Sequence, residues 1–179
     1  MDAKSISLTA VFASLYAVLL AYLAPFSFGP IQLRVADCLL PLAALFGWPV
    51  VGGATVGCLV GNIWGGMILF GGVNPVDVVL GSSANLLATS VIFALRKRRF
   101  LACVLGAVVI GVIVGGYLWL FFEPPDILGL AMPVWVAMIL SVTASSLIAV
   151  ALIGYGLLTV LSKPGMVASL KALGLRIYI

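Results

Sequence analysis

The stretch Cys38–Val76, CLLPLAALFGWPVVGGATVGCLVGNIWGGMILFGGVNPV, contains no charged side chain. A helix needs roughly 20 apolar residues to cross a hydrocarbon core of about 30 Å, so this run exceeds one crossing. It divides at Gly47-Trp48-Pro49, because proline breaks a helix interior yet readily opens a new helix. A span over 36–47 and another over 49–69 result. The first has ~12 residues, which rise only about 18 Å. Either the segment before it dips into the membrane or it is a partial helix.

Working outward, charge is also missing from Ser5–Leu33, Val78–Leu95, Phe100–Phe122 and Ile127–Ser162. Four more spans follow, over 5–24, 77–95, 100–122 and 132–162, giving six in a single transmembrane domain covering 1–179. The last is longer than a crossing requires, so it either projects past the membrane or bends near Gly154 and Gly156. The first exceeds the ~7–15 apolar residues of a signal peptide, and Tyr22-Leu23-Ala24-Pro25 is a poor cleavage site.

Composition agrees with this reading. The sequence is 64% hydrophobic and 8% charged, with a mean hydropathy of +1.34. Soluble domains carry about 25% charged residues, so this surface must face lipid. Long uniform apolar runs also argue against a β-barrel, whose strands alternate over ~10 residues. The expected fold class is an all-α integral membrane protein.

The basic residues orient the chain. With six spans and a cytoplasmic N-terminus, Lys4, Arg96-Lys97-Arg98-Arg99, Lys163, Lys171 and Arg176 all fall inside, and only Arg34 falls outside. That distribution satisfies the positive-inside rule. It predicts a multi-pass cell-membrane protein with both termini in the cytoplasm. The pI near 9.2 then reflects topology and not nucleic-acid binding.

Several chemistries are missing. The sequence has no histidine, which removes histidine-based acid–base and metal sites. Cys38, Cys58 and Cys103 lie apart in apolar stretches and read as buried bulk. No glycine loop with a phosphate-binding lysine is present, so ATP could be used only through a partner. No cofactor or metal is expected, and no catalytic set is coherent enough for an enzyme.

Small residues mark packing faces. Gly53, Gly57, Gly61 and Gly65 recur at intervals of four and share one helix face, where another helix can approach closely. Gly111 and Gly115 repeat the pattern. Ala13, Ala17 and Ala21 form a similar face on the first span, suited to internal packing or to docking another membrane protein.

Polar side chains gather toward the predicted outer boundary. Gln32, Arg34 and Asp37 sit beside the short second span, and the Arg34–Asp37 spacing of three allows pairing. Asn62, Trp64, Asp77, Asn85, Trp119, Trp135 and Ser141 occupy the outer halves of later spans. An unpaired amide in hydrocarbon costs several kcal/mol, so Asn62 and Asn85 need partners or a ligand. With Tyr117 at the end of the fifth span, these groups predict an outward-facing pocket with aromatic walls and a few directed hydrogen-bonding groups, suited to a flat polar heterocycle. A self-sufficient secondary transporter or channel is the alternative, and it calls for a titratable group at mid-membrane.

Three motifs carry a family resemblance. The run Phe28-Gly29-Pro30-Ile31-Gln32-Leu33-Arg34-Val35-Ala36-Asp37, followed by Leu40-Pro41-Leu42, resembles the signature of the QueT family. Gly57-Cys58-Leu59-Val60-Gly61-Asn62 and Asp77-Val78-Val79-Leu80-Gly81-Ser82-Ser83-Ala84-Asn85-Leu86-Leu87-Ala88 do the same. The resemblance implies a six-transmembrane-helix bundle of the energy-coupling factor (ECF) S-component type. Such a protein captures a vitamin or related micronutrient and docks on an energising module of a membrane coupling protein and two ATPases. The resemblance gives Ala13, Ala17 and Ala21 the partner-facing role, and the family's name points to a queuosine precursor as substrate. QueT-like sequences tend to carry a glutamate in the sixth span, where this one reads Ser141-Val142-Thr143-Ala144-Ser145-Ser146.

Overall fold

The computed structural model describes residues 2–28, 33–123 and 131–178. Among them every regular element is helical. Five helical stretches are long and apolar enough to cross a membrane: Ala3–Tyr22, Trp48–Phe70, Asp77–Ala94, Arg96–Leu118 and Val134–Leu161. Val35–Phe46 is a sixth, shorter apolar helix. Against the six spans expected, five helices meet the length and hydropathy of a crossing and the one over 36–47 is shorter.

Helix α1 (Ala3–Tyr22) starts at Asp2, whose carboxylate accepts a 2.9 Å hydrogen bond from the Ser5 amide. It buries Phe12, Tyr16 and Leu20, each four residues from the next, and leaves Val11, Leu15, Val18 and Tyr22 exposed. That lopsided exposure suits a helix with protein on one side and lipid on the other. A short α2 (Ala24–Ser27) follows it.

The partial span is a 3-10 helix, Val35–Leu42, leading into α3 (Ala43–Phe46). Ala36, Leu40, Ala43, Ala44 and Leu45 within it have no exposed surface at all. Neighbouring helices surround it, so it need not be long enough to cross. Irregular backbone is tolerated at membrane depth only under such cover. Gly47 then turns the chain with φ of 71°, a left-handed value that glycine adopts without steric cost.

Helix α4 (Trp48–Phe70) follows, with Pro49 in its first turn. Its glycine face lies against α1. A Cβ at Gly57 would stand 2.6 Å from the Ala13 carbonyl oxygen and 2.8 Å from Tyr16 Cβ. One at Gly53 would meet Phe12 Cβ at 2.6 Å. The stripe is therefore an internal seam, and Ala13 belongs to its opposite wall. Ala17 and Ala21 are half-buried.

A π-helical turn, Asp77–Gly81, opens the next crossing and continues as α5 (Ser82–Ala94). After a 3-10 turn at Arg96–Arg98, α6 (Arg99–Leu118) returns. It packs on α7 (Val134–Ser146) through Gly115, where a Cβ would lie 2.6 Å from Ile139 Cα. The overlong last span contains a π-helical segment, Leu147–Gly154, before α8 (Tyr155–Leu161). Gly154 closes that segment against the partial helix, within 2.8 Å of the Cys38 carbonyl for an added Cβ. Helix α9 (Pro164–Ala172) and an extended tail complete the chain.

The tail crosses one end of the bundle, the end carrying Lys4 and Arg96–Arg99. Lys4 Nζ donates to the Leu173 carbonyl at 3.2 Å, and the Tyr178 amide donates to the Leu45 carbonyl at 3.0 Å. The Tyr178 ring meets Phe93 edge-on at 5.1 Å. This is the basic end; the polar side chains discussed next lie toward the opposite one.

Candidate functional site

The π-helical turn at Asp77 sits beside the last third of α4 and the end of α6. Asp77 takes three groups at once, two on its carboxylate and one on its backbone carbonyl. Arg34 Nη2 lies 3.2 Å from Asp77 Oδ1 and 3.4 Å from Oδ2, and the Tyr117 hydroxyl donates to Oδ1 at 2.5 Å. Asn62 Nδ2 donates to the Asp77 backbone carbonyl at 2.9 Å. Gly81 makes room for this convergence, since a Cβ there would lie 2.8 Å from Asn62 Nδ2 and 3.4 Å from the Tyr117 hydroxyl.

The pairing differs from the sequence expectation. Arg34 and Asp37 share a helical spacing, but a 3-10 turn begins between them, at Val35. Arg34 turns to Asp77, in the only ion pair among the described residues. Its guanidinium also stacks over Phe28 at 5.7 Å and donates to Cys58 Sγ at 3.7 Å. Asp37 instead accepts a 2.5 Å hydrogen bond from the Tyr16 hydroxyl.

Tyr16 joins a second buried polar layer. Asn85 Nδ2 donates to the Tyr16 oxygen at 2.7 Å, and Thr89 donates its hydroxyl to the Asn85 carbonyl. Asn85 is two turns beyond Asp77, about 12 Å deeper along the helix axis. Past it toward the basic end, Ala44, Leu45, Val51, Ala54, Ala88 and Ile92 are packed with almost no exposed surface. The polar column stops there.

Above the Asp77 cluster, toward the opposite end, lies a cavity of about 250 Å³. Phe28, Phe70, Phe121 and Phe122 supply aromatic walls, and Asn62 and Asp77 supply polar floor. Phe70 packs 5.7 Å from Phe122 and 6.5 Å from Phe28, so three of the rings form one cluster. Asn62 Oδ1 is buried and has no hydrogen-bond partner. An acceptor left in that state costs about 1–3 kcal/mol.

Of the candidates read from the sequence, Asn62 and Asp77 line this cavity. Arg34 stands behind Asp77, and Asp37 and Asn85 form the deeper layer. Gln32 lies outside the described residues. Trp64, Trp119 and Trp135 are 57%, 38% and 52% exposed and are not on the cavity wall. Exposure of this kind is common for interfacial tryptophan, and Trp119 Nε1 donates to the Gly116 carbonyl at 2.9 Å. Ser141 is half-buried on α7, away from the cavity.

Tyr16 and Gly81 were not singled out by sequence as site residues. Tyr16 did carry a signal: a tyrosine buried in an apolar helix needs a partner for its hydroxyl.

The family model described as QueT transporter matches residues 6–163. Nothing among the curated proteins or the solved structures matches the chain.

Proposed function

The chain belongs to the QueT transporter family, and from that premise we propose that it is the solute-capturing S component of an ATP-driven ECF importer. Membership makes it a multi-pass membrane transporter protein with a small-molecule cargo. The finer assignment draws on the site. One observation carries it: a phenylalanine-walled cavity is lined by Asn62 and Asp77, and the Asn62 amide oxygen lacks a hydrogen-bond donor.

Such a cavity favours a flat heterocycle. The rings of Phe28, Phe70, Phe121 and Phe122 offer faces and edges to an aromatic ligand. Asn62 Oδ1 and the Asp77 carboxylate accept hydrogen bonds, so the matching edge of the ligand carries N–H groups. A deazapurine of the queuosine-precursor type has that pattern. Arg34 and Tyr117 hold the Asp77 carboxylate in place, so the ligand meets a fixed acceptor.

The packed layer below Asn85 supports capture over conduction. A channel needs a polar path through the full depth, and here the buried polar side chains give way to alanine, leucine, valine and isoleucine. Release across the membrane then requires the protein to move as a whole, driven by an energising module of a coupling protein and two ATPases. The positive-inside rule supports a cytoplasmic basic end with both termini, and a cavity that faces outside.

Mass spectrometry of the small molecule that co-purifies with the protein tests this reading. A deazapurine base or another N–H-bearing heterocycle is expected. Recovery of an aliphatic solute, or uptake that persists in cells lacking ECF ATPases, would overturn it.

A further inference from the structure

A second cavity, of about 350 Å³, lies at the basic end. The tail forms one side of it through Gly174, Leu175, Arg176 and Tyr178, and α1 and the start of α4 form the other. Two cations border it, Lys4 and Arg176, and neither has an ion-pair partner among the described residues. The Arg176 guanidinium lies over the Tyr178 ring at 5.1 Å, which holds it in place beside the cavity. Arg96 stacks on the other ring of the same group, 4.8 Å from the Phe93 centroid and 5.9 Å from that of Tyr178.

The cavity contains one acid, Asp2, but that carboxylate is already engaged at the N-terminus of α1. Hydrogen bonds from Ser5 hold its pKa below the ordinary value, so it stays an acceptor for the helix. With two cations, Lys4 and Arg176, against this one carboxylate, the local balance remains cationic. The rest of the lining is apolar and includes Leu8, Phe46 and Trp48. Trp48 is 58% exposed at the first residue of a crossing, the depth at which tryptophan marks the lipid interface.

We infer that this cavity seats the headgroup of an anionic phospholipid, its phosphate between Lys4 and Arg176 and its chains descending past Trp48 and Leu8. The inference needs no assumption about the transported solute. An unpaired cation near an anionic membrane surface gains favourable energy from each such contact. Leu8, Phe46 and Trp48 line the cavity beside the cations, so a lipid satisfies both halves at once. A free anion would leave Trp48 and Leu8 without a role.

Native mass spectrometry of the full chain in detergent, titrated with dioleoyl phosphatidylglycerol or dioleoyl phosphatidylcholine, tests this. The expected result is roughly a tenfold preference for phosphatidylglycerol. Lys4→Gln with Arg176→Gln should bring the two lipids to near parity. Lys163→Gln with Lys171→Gln, an equal loss of charge away from the cavity, should keep the preference. Should the first pair fail to fold, Ser5→Glu adds an anion to the cavity in a helix's first turn, where acids are tolerated, and should likewise abolish the preference. Equal binding of the two lipids by the unaltered protein overturns the inference. So does an equal loss in both double variants, which would reduce the effect to general surface charge. Displacement of phosphatidylglycerol by an equal concentration of inorganic phosphate would also overturn it, because the site would then be one for free anions.

Discussion

Arg34 and Asp77 stand on opposite sides of the first full crossing after the partial helix, yet they meet at 3.2 Å. Each is buried, and each has further partners: Phe28 and Cys58 for the arginine, Tyr117 for the aspartate. The pair thereby ties the loop before the partial helix to the entrance of α5. It also fixes the carboxylate that forms part of the cavity floor. Fold and candidate site share this one contact, so separating their contributions requires more than a single substitution.

Removing one partner leaves a buried charge uncompensated, at a cost of about 3–5 kcal/mol. Arg34→Met and Asp77→Leu should each lower the melting temperature sharply and abolish solute binding. Combining them replaces the pair by apolar groups of similar bulk, which is often neutral for stability. The double variant should regain most of the lost melting temperature without regaining affinity. Thermal melts in detergent, run beside equilibrium binding, separate the two effects. Recovery of affinity in the double variant would make the pair purely structural.

Asn62 offers a cleaner separation. Its Nδ2 is bonded to the Asp77 carbonyl, and its Oδ1 is not bonded to the protein at all. Asn62→Leu should cost about 1 kcal/mol of stability for the lost Nδ2 bond. Loss of the acceptor should weaken solute binding about tenfold or more, as an N–H group on the ligand is left without a partner. Isothermal titration of the purified protein measures the affinity. An unchanged dissociation constant would show that the ligand does not reach the floor of the cavity.

The aromatic walls distinguish the observed cavity from the one expected from sequence. Tryptophans dominated that expectation because they are conspicuous near span ends. In the structure Phe28, Phe70, Phe121 and Phe122 line the cavity, and Trp64 and Trp135 face outward. Phe70→Ala and Phe121→Ala should each reduce affinity severalfold, by loss of buried area and ring contacts. Trp64→Ala and Trp135→Ala should leave it within about twofold, since neither side chain lines the cavity. The reverse ranking in a binding assay would relocate the site to the tryptophans.

The membrane class and the long apolar helices were legible because hydrocarbon imposes one simple demand: long uncharged runs. The partial helix was legible as well, since Gly47-Trp48-Pro49 cuts its run short. Partner choice within the site was harder to read. Arg34 and Asp37 are adjacent by helical spacing, but the backbone between them winds as a 3-10 turn, and Asp77 comes from a distant segment. The nine phenylalanines are scattered along the chain, so nothing in composition marks the four that line the cavity. Asn62 and Asp77 could be found because a polar group at depth demands an explanation, whereas an aromatic ring does not.

The glycine seam and the alanine stripe beside it make opposite predictions. At Gly57 an added Cβ would stand 2.6 Å from a backbone carbonyl of α1, with no flexible side chain to give way. Gly57→Val should therefore separate the helices and destabilise the fold by about 1–3 kcal/mol, as overpacking commonly does. Tyr16 lies on the same face of α1, so the Tyr16–Asp37 bond should be disturbed and solute affinity should fall with stability. Ala17 is only half-buried, and a bulky residue there can turn toward lipid. Ala17→Trp should keep both the melting temperature and the affinity. If this stripe docks the coupling protein, the same variant should lose transport in cells that retain the complete importer. Measuring uptake, affinity and melting temperature together makes the outcome decisive: a fall in all three would assign Ala17 to the internal seam, and unimpaired uptake would place the docking face elsewhere on the bundle.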